Sequence, residues 1–203
     1  MAKTTLIIAT GNAGKVKEFQ KILGDTLYDF KTLRDIGFTS EIVEDGDSFG
    51  ENAAIKARAV VDYVKAKGIP GIVLADDSGL EVTALDNEPG IFTARYAGIG
   101  ASDEANYQKL LRNLKDKTDR SARFVCWLCW YDGYTLKLFD GTCEGHILQA
   151  PRGTEGFGYD PVFEPNGYKR SFGEMTHDEK KALSHRGAAI KKLNVWLSSD
   201  AQA

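Results

Sequence analysis

The chain has 203 residues, of which 42% are hydrophobic and 27% are charged. This composition suits one sizeable domain, or one domain with two lobes. The net charge of -3 and the pI of about 5.7 argue against a general nucleic-acid-binding surface. No apolar stretch reaches membrane-spanning length and no secretory leader is recognisable, so we expect a cytoplasmic protein.

The first chemical signal is a turn at residues 10–15, Thr-Gly-Asn-Ala-Gly-Lys. An apolar run at 6–9 predicts a buried strand before it, and the apolar spacing at 16–23 predicts a helix after it. Such a turn directs backbone N–H groups, the positive end of a helix dipole and the Lys15 ammonium towards one point. The pattern favours a phosphate or another anion there, although many glycine-rich turns bind nothing.

The turn differs from a Walker A loop in two ways. Only two residues separate Gly11 from Gly14, and Val16 follows the lysine where a Ser or Thr would hold magnesium. Any metal ligands must therefore come from elsewhere in the chain.

Between residues 28 and 115 the patterns predict three strands and two helices. In chain order they are a strand at 28–33, a helix from Ser48 or Asp47 to about Lys67, strands at 72–75 and 81–85, and a helix capped by Ser102 that runs to about Lys115.

Asp76 and Asp77 are expected to follow the strand at 72–75, at the edge where open α/β sheets bind ligands. One aspartate is a candidate to bind a divalent cation or activate water, and the alternative is that both only form a turn. The acidic loop before Ser48 contains Glu41, Glu44 and Asp45, which either supply a further metal ligand or are solvated charges.

The second half changes character. Apolar runs at 123–131, 134–139 and 143–148 predict hairpin-connected strands, and Cys126 and Cys129 read as buried core thiols rather than a metal or redox pair. Thr176 and Glu179 form a capping box, and residues 184–186 open or continue the last helix. Strand–helix alternation followed by hairpins predicts a mixed-sheet α/β fold with two lobes around a central cleft.

Three donor side chains, Lys180, His185 and Arg186, suit recognition of a carbonyl-rich ring. Phe157, between two glycines, either stacks on a base or anchors its loop in the core. Ser184 and His185 are not interpreted as a hydrolase pair, because adjacent helical residues do not face each other.

Six motifs together closely resemble the inosine/xanthosine triphosphate pyrophosphatase family, which includes the dITP/XTP diphosphatases. They occur in one order over nearly the whole chain, at residues 10–15, 51–53, 75–80, 94–96, 156–161 and 184–187. The resemblance implies a single two-lobed α/β domain over residues 1–203, a homodimer, and magnesium (Mg2+) as cofactor. It implies hydrolysis of the purine nucleoside triphosphates ITP, dITP and XTP to the monophosphate and pyrophosphate, with no nucleic-acid or membrane partner.

The resemblance also implies roles for individual residues. Asp77 would be the general base and a magnesium ligand, with Glu44 as second ligand and Glu41 in reserve. The substrate-binding residues would be Thr10, Gly11, Asn12, Ala13, Gly14 and Lys15 for the triphosphate, Lys56 as a further phosphate contact, Ser78, the pocket residues Phe157, Gly158, Tyr159 and Asp160, and the base-reading residues Lys180, His185 and Arg186.

Overall fold

A computed structural model describes residues 3–24 and 28–200 of the chain. Within these ranges, six strands form one mixed sheet in the order β2-β1-β3-β4-β5-β6. The strands are β1 (Thr4–Ala9), β2 (Tyr28–Thr32), β3 (Ile72–Val82), β4 (Ser121–Tyr131), β5 (Leu136–Ile147) and β6 (Phe163–Pro165). Strand β1 pairs in parallel with β2 and β3, and β5 pairs antiparallel with β6, which confirms the predicted mixed α/β fold.

The predicted helices are confirmed. They are α1 (Ala13–Leu23), α2 (Phe49–Lys67), α3 (Asp103–Asn113), α4 (His177–Leu183) and α5 (His185–Asp200). The Ser48 side chain caps α2 by accepting from Glu51 N at 3.2 Å, and Gly68 ends the helix in a left-handed conformation. The capping box of Thr176 and Glu179 opens α4. No helix in the described residues is long and apolar enough to cross a membrane.

Two predictions about strands were wrong. Strand β3 continues through Asp76 and Asp77 to Val82, so the aspartates lie inside a strand, and the separate strand expected at 81–85 does not exist. The two carboxylates stay in a buried strand because lysines pair with them. Similarly, the strands expected at 134–139 and 143–148 are one strand, β5, in which Asp140 occupies a half-exposed position beside Lys192.

The chain divides into two compact units. Unit 1 comprises residues 1–77, 127–140 and 189–203, and unit 2 comprises residues 78–126 and 141–188. The core of unit 1 packs small side chains of α2, including Ala53, Ala57 and Val60, with residues of β1 and β3. Small residues on one helical face let the helix approach a sheet closely, as its spacing predicts.

The core of unit 2 is more aromatic. Phe124, Phe163 and Phe172 form a contiguous cluster with ring centroids 4.7 to 6.0 Å apart. Such pairs add to the stability that burial alone gives. Cys126 and Cys143 of unit 2 and Cys129 of unit 1 are buried, as predicted, and burial raises the pKa of the Cys129 and Cys143 thiols to about 12.

Candidate functional site

The turn at 10–15 joins β1 to α1, as the sequence predicts, but its amides are used differently from the expectation. The Asn12 side chain caps α1, with Oδ1 accepting from Gly14 N at 2.9 Å and Lys15 N at 3.2 Å. Within the described part of the chain, the amides of Gly11 and Ala13 donate to no protein group. Only these exposed amides remain to bind an anion, because the asparagine side chain already satisfies two of the expected donors.

Lys15 forms an ion pair with a buried carboxylate that the sequence did not reveal. Its Nζ lies 2.9 Å from Asp76 Oδ2, and the two side chains are 14% and 0% exposed. Asp76 therefore fixes the ammonium at the end of the turn, because a carboxylate in a buried strand cannot move far. This assigns to Asp76 a role different from that of its neighbour Asp77.

Lys56 connects two of the predicted metal ligands. Its Nζ lies 2.8 Å from Glu44 Oε2 and 3.2 Å from Asp77 Oδ1. The structure thus brings Glu44 and Asp77 to one cation, whereas Glu41 is exposed. We call Lys15, Glu44, Lys56, Asp76 and Asp77 the carboxylate–lysine cluster; all five belong to unit 1.

Burial and charge act against each other in this cluster. Burial raises the pKa of the Asp77 carboxyl above its ordinary value, and nearby Lys56 and Lys15 only partly offset this rise. Burial also tends to lower the pKa of Lys56, but the carboxylates of Asp77, Asp76 and Glu44 raise it above its ordinary value. Lys56 is therefore held in its charged form, and Asp77 binds a proton more readily than an exposed aspartate does.

The cluster suits a cation held jointly with a substrate. Asp77 Oδ2 is buried and accepts no hydrogen bond from the described residues. No group of three or more His, Cys, Asp or Glu side chains in the described ranges is arranged to hold a metal alone. Magnesium commonly binds to one or two carboxylates and takes its other ligands from substrate phosphates and water. The donor set of Asp77 and Glu44 fits that mode of binding.

The glycine-rich loop of unit 2 is built around Asp160. The Asp160 Oδ2 atom accepts from Phe157 N at 2.8 Å and from Lys180 Nζ at 2.7 Å. Gly156 has a φ of +81°, and a Cβ at this position would lie 2.0 Å from Asp160 Oδ2. Glycine is therefore required here both by the backbone conformation and by the close approach of the carboxylate.

Lys180 contacts the predicted stacking residue. Its side chain is 6% exposed, and its Nζ lies 4.9 Å from the centre of the Phe157 ring. The ammonium thus combines an ion pair to Asp160 with a cation–π contact to the ring. Phe157 is half-buried, which leaves part of its surface available to a ligand.

Three other predicted site residues are also buried in unit 2. The Arg186 side chain is fully buried, and its Nη2 donates to Ser78 Oγ at 3.0 Å. His185 stacks on Phe124 with ring centroids 4.8 Å apart and an interplanar angle of 12°. The Tyr159 ring lies in the core, where its hydroxyl donates to Thr93 O, so its predicted pocket contact is restricted to the backbone.

One contact of the glycine-rich loop has a partner outside every sequence motif. Gly158 N donates to Asp103 Oδ2 at 2.7 Å, across a separation of 55 residues. Asp103 lies in the first turn of α3, where an acidic side chain favours the helix dipole, and no local sequence signal indicates a partner so distant.

The Ham1 family model matches residues 6–196 of this chain. The dITP/XTP pyrophosphatase of Bacillus subtilis (strain 168) is 47% identical over 196 residues, covering 95% of this chain and 96% of that protein. The dITP/XTP pyrophosphatase of Bacillus licheniformis is 48% identical over 195 residues, covering 95% of this chain and 97% of that protein.

Solved structures agree with these sequence relatives. The Ham1 protein of Staphylococcus aureus superposes with a TM-score of 0.84 at 39% identity, covering 97% of this chain and 100% of that one. A nucleoside-triphosphatase / dITP/XTP pyrophosphatase from Mycobacterium abscessus superposes with a TM-score of 0.73 at 37% identity, covering 94% of this chain and 98% of that one.

Proposed function

Because this chain belongs to the Ham1 family, we propose that it hydrolyses ITP, dITP and XTP to the nucleoside monophosphate and pyrophosphate. The family resemblance inferred from six motifs is thereby confirmed, and relatives that match nearly the whole chain are named dITP/XTP pyrophosphatases. Such an activity removes deaminated purines from the nucleotide pool before they enter nucleic acids.

The observation that carries the proposal is the Asp77 carboxylate. It is buried, has one oxygen without a hydrogen bond from the described residues, and lies beside Lys56. Its raised pKa suits a group that accepts a proton from attacking water, because a base works best when its pKa approaches the working pH. We assign the role of general base to Asp77.

The triphosphate is assigned to the turn and the lysines. The amides of Gly11 and Ala13 and the ammonium groups of Lys15 and Lys56 are donors suited to phosphate oxygens. Phosphoanhydride cleavage needs little beyond charge neutralisation and alignment of water, so fixed cations and amides are the main requirement.

We propose that the enzyme depends on magnesium, held by Asp77 and Glu44 together with the substrate. When bound, the metal would neutralise charge on the phosphate oxygens as a Lewis acid. Two observations support this assignment. Asp77 Oδ2 accepts no hydrogen bond from the described residues, and the carboxylates of Asp77 and Glu44 both contact Lys56 Nζ.

The base is assigned to Phe157, Lys180, His185 and Arg186. Phe157 offers a ring face for stacking, and the Lys180–Asp160 pair holds that ring from one side. Hypoxanthine and xanthine carry a carbonyl at the 6-position, which accepts from donors such as Arg186, whereas adenine carries an amino group there. A pocket built from donors would disfavour adenine because donor would meet donor.

From the family resemblance, we propose that the protein is a homodimer. We also propose that it is located in the cytoplasm. Light scattering coupled to gel filtration would measure the mass of the particle against the 22.3 kDa of one chain.

The activity is tested by incubating the pure protein with ITP, dITP, XTP, ATP and GTP, with magnesium or with EDTA. With magnesium present, we expect pyrophosphate from ITP, dITP and XTP but not from ATP or GTP. In EDTA, and with Asp77→Asn, we expect no pyrophosphate from any of the five nucleotides. Equal rates for ATP and ITP would refute the assigned selectivity. Full activity in EDTA would refute the dependence on magnesium.

A further inference from the structure

Asp103 contacts the loop that carries Phe157, although it belongs to none of the motifs. It is the first residue of α3, and Ser102 caps that helix by accepting from Ala105 N at 3.1 Å. The Asp103 Oδ2 atom accepts from Gly158 N at 2.7 Å. This distance is typical of a hydrogen bond to an ionised carboxylate, which is stronger than a bond between neutral groups.

The contact completes a pair of anchors around Phe157. Phe157 N donates to Asp160 Oδ2, and the next amide, Gly158 N, donates to Asp103 Oδ2. These N–H groups belong to the two peptide planes that flank the Phe157 Cα atom. With both planes held, the φ and ψ angles of Phe157 are restricted, because they are the only soft backbone torsions between the planes. The direction of the Phe157 Cα–Cβ bond is then largely fixed, so the ring keeps only its side-chain rotations. The Lys180 ammonium, 4.9 Å from the ring centre, favours one of those ring orientations.

Helix α3, which carries Asp103, is held in place by hydrogen bonds within unit 2. Asn106, on the same helix, accepts from Ala97 N at 2.7 Å and donates to Ala94 O at 3.2 Å. In the glycine-rich loop, the residue after Gly158 is Tyr159, whose hydroxyl donates to Thr93 O at 2.9 Å. The start of α3 and the loop are thus both tied to the segment at 93–97.

We propose that Asp103 is a positioning residue for base recognition, and that it acts by holding Gly158 N so that the Phe157 ring is preorganised for stacking. This role rests on the proposed function, since it assumes that Phe157 stacks on the purine. A ring that is already oriented loses less conformational entropy on binding, so Asp103 contributes to affinity for the base without touching it.

The kinetic test compares Asp103→Ala with the wild-type enzyme. Loss of one exposed charge-assisted hydrogen bond should raise KM for ITP about five- to tenfold, with kcat changed less than about twofold. Asp103→Asn should recover most of the affinity, because its amide oxygen still accepts from Gly158 N. An unchanged KM, or an equal loss in kcat, would overturn the proposal.

Glu104→Ala is the matched control. Glu104 is the other acidic residue in the first turn of α3, and it is likewise exposed. Both substitutions remove a charge that favours the helix dipole, and only Asp103→Ala also removes the hydrogen bond to Gly158 N, so Asp103→Ala should lower the melting temperature more. If Glu104→Ala raises KM as much as Asp103→Ala does, the effect belongs to the helix and the proposal fails.

A measurement without substrate separates this inference from the proposed function. In protein labelled with 15N-glycine, the Gly158 amide proton should shift upfield and exchange faster with solvent in Asp103→Ala, but not in Glu104→Ala. An unchanged Gly158 signal would refute the anchoring contact. Absence of pyrophosphate release by the wild-type enzyme would instead refute the proposed function, and the Gly158 signal would still decide whether Asp103 holds the loop.

Discussion

Lys56→Met tests the energetic role of the carboxylate–lysine cluster. The substitution keeps an unbranched side chain of similar length in α2 but removes the cation that contacts Glu44 and Asp77. The side chains of Lys56 and Asp77 are only 10% and 12% exposed, so Asp77 would lose its nearest cation in a poorly solvated place.

The loss in free energy of unfolding depends on how deeply the paired side chains are buried. Removing one partner of a fully buried ion pair costs about 3–5 kcal/mol, because an uncompensated charge remains. Glu44 is 34% exposed and water can replace its contact, so we expect a smaller loss of about 2–4 kcal/mol for Lys56→Met. The double variant Lys56→Met/Asp77→Asn should recover at least about 1 kcal/mol, because the remaining buried charge is then removed as well.

Urea unfolding at pH 7 in EDTA measures these differences. Lys67→Met, an exposed lysine at the end of the same helix, is the control and should change the free energy of unfolding by less than about 1 kcal/mol. A loss below about 1 kcal/mol for Lys56→Met, or a double variant no more stable than the single one, would show that Lys56 does not compensate the buried charge of Asp77.

Two further predictions concern stability. Burial raises the pKa of Asp77 above its ordinary 3.8, so ionising this carboxyl lowers the stability of the folded state. In EDTA, the wild-type protein should therefore lose stability relative to Asp77→Asn as the pH rises from 3.8 through the folded-state pKa. Parallel curves of stability against pH for the two proteins would contradict this prediction. Gly156→Ala should destabilise the fold by about 3 kcal/mol, because its Cβ collides with Asp160, whereas Gly158→Ala meets nothing within 4 Å and should cost only about 1 kcal/mol of left-handed strain. Thermal unfolding of both glycine variants checks the second prediction, and equal losses would be inconsistent with it.

The local features of the fold were predictable because their causes lie close together in sequence. The Ser48 cap, the left-handed Gly68 and the capping box at Thr176 each depend on residues within one helical turn. The turn at 10–15 was recognisable for the same reason. The sequence also suggested Asn12 as part of the turn, but not that its side chain would bind two of the amides expected to hold an anion.

The long-range features were not predictable. Two consecutive aspartates before Ser-Gly read as a turn, and only the ion pairs with Lys15 and Lys56 explain why β3 continues through them. Glu44 contacts Lys56 Nζ at 2.8 Å, and no local pattern encodes that distance. Likewise, the contact of Asp103 with Gly158 spans 55 residues.

Product analysis by 31P NMR shows directly which phosphoanhydride bond of ITP the protein hydrolyses. The protein is incubated with ITP and magnesium, and the phosphorus signals are followed until the substrate is consumed. We expect inosine monophosphate and pyrophosphate in equal amounts, with neither formed by Asp77→Asn. Inosine diphosphate with orthophosphate, or an ITP spectrum that never changes, would contradict this expectation.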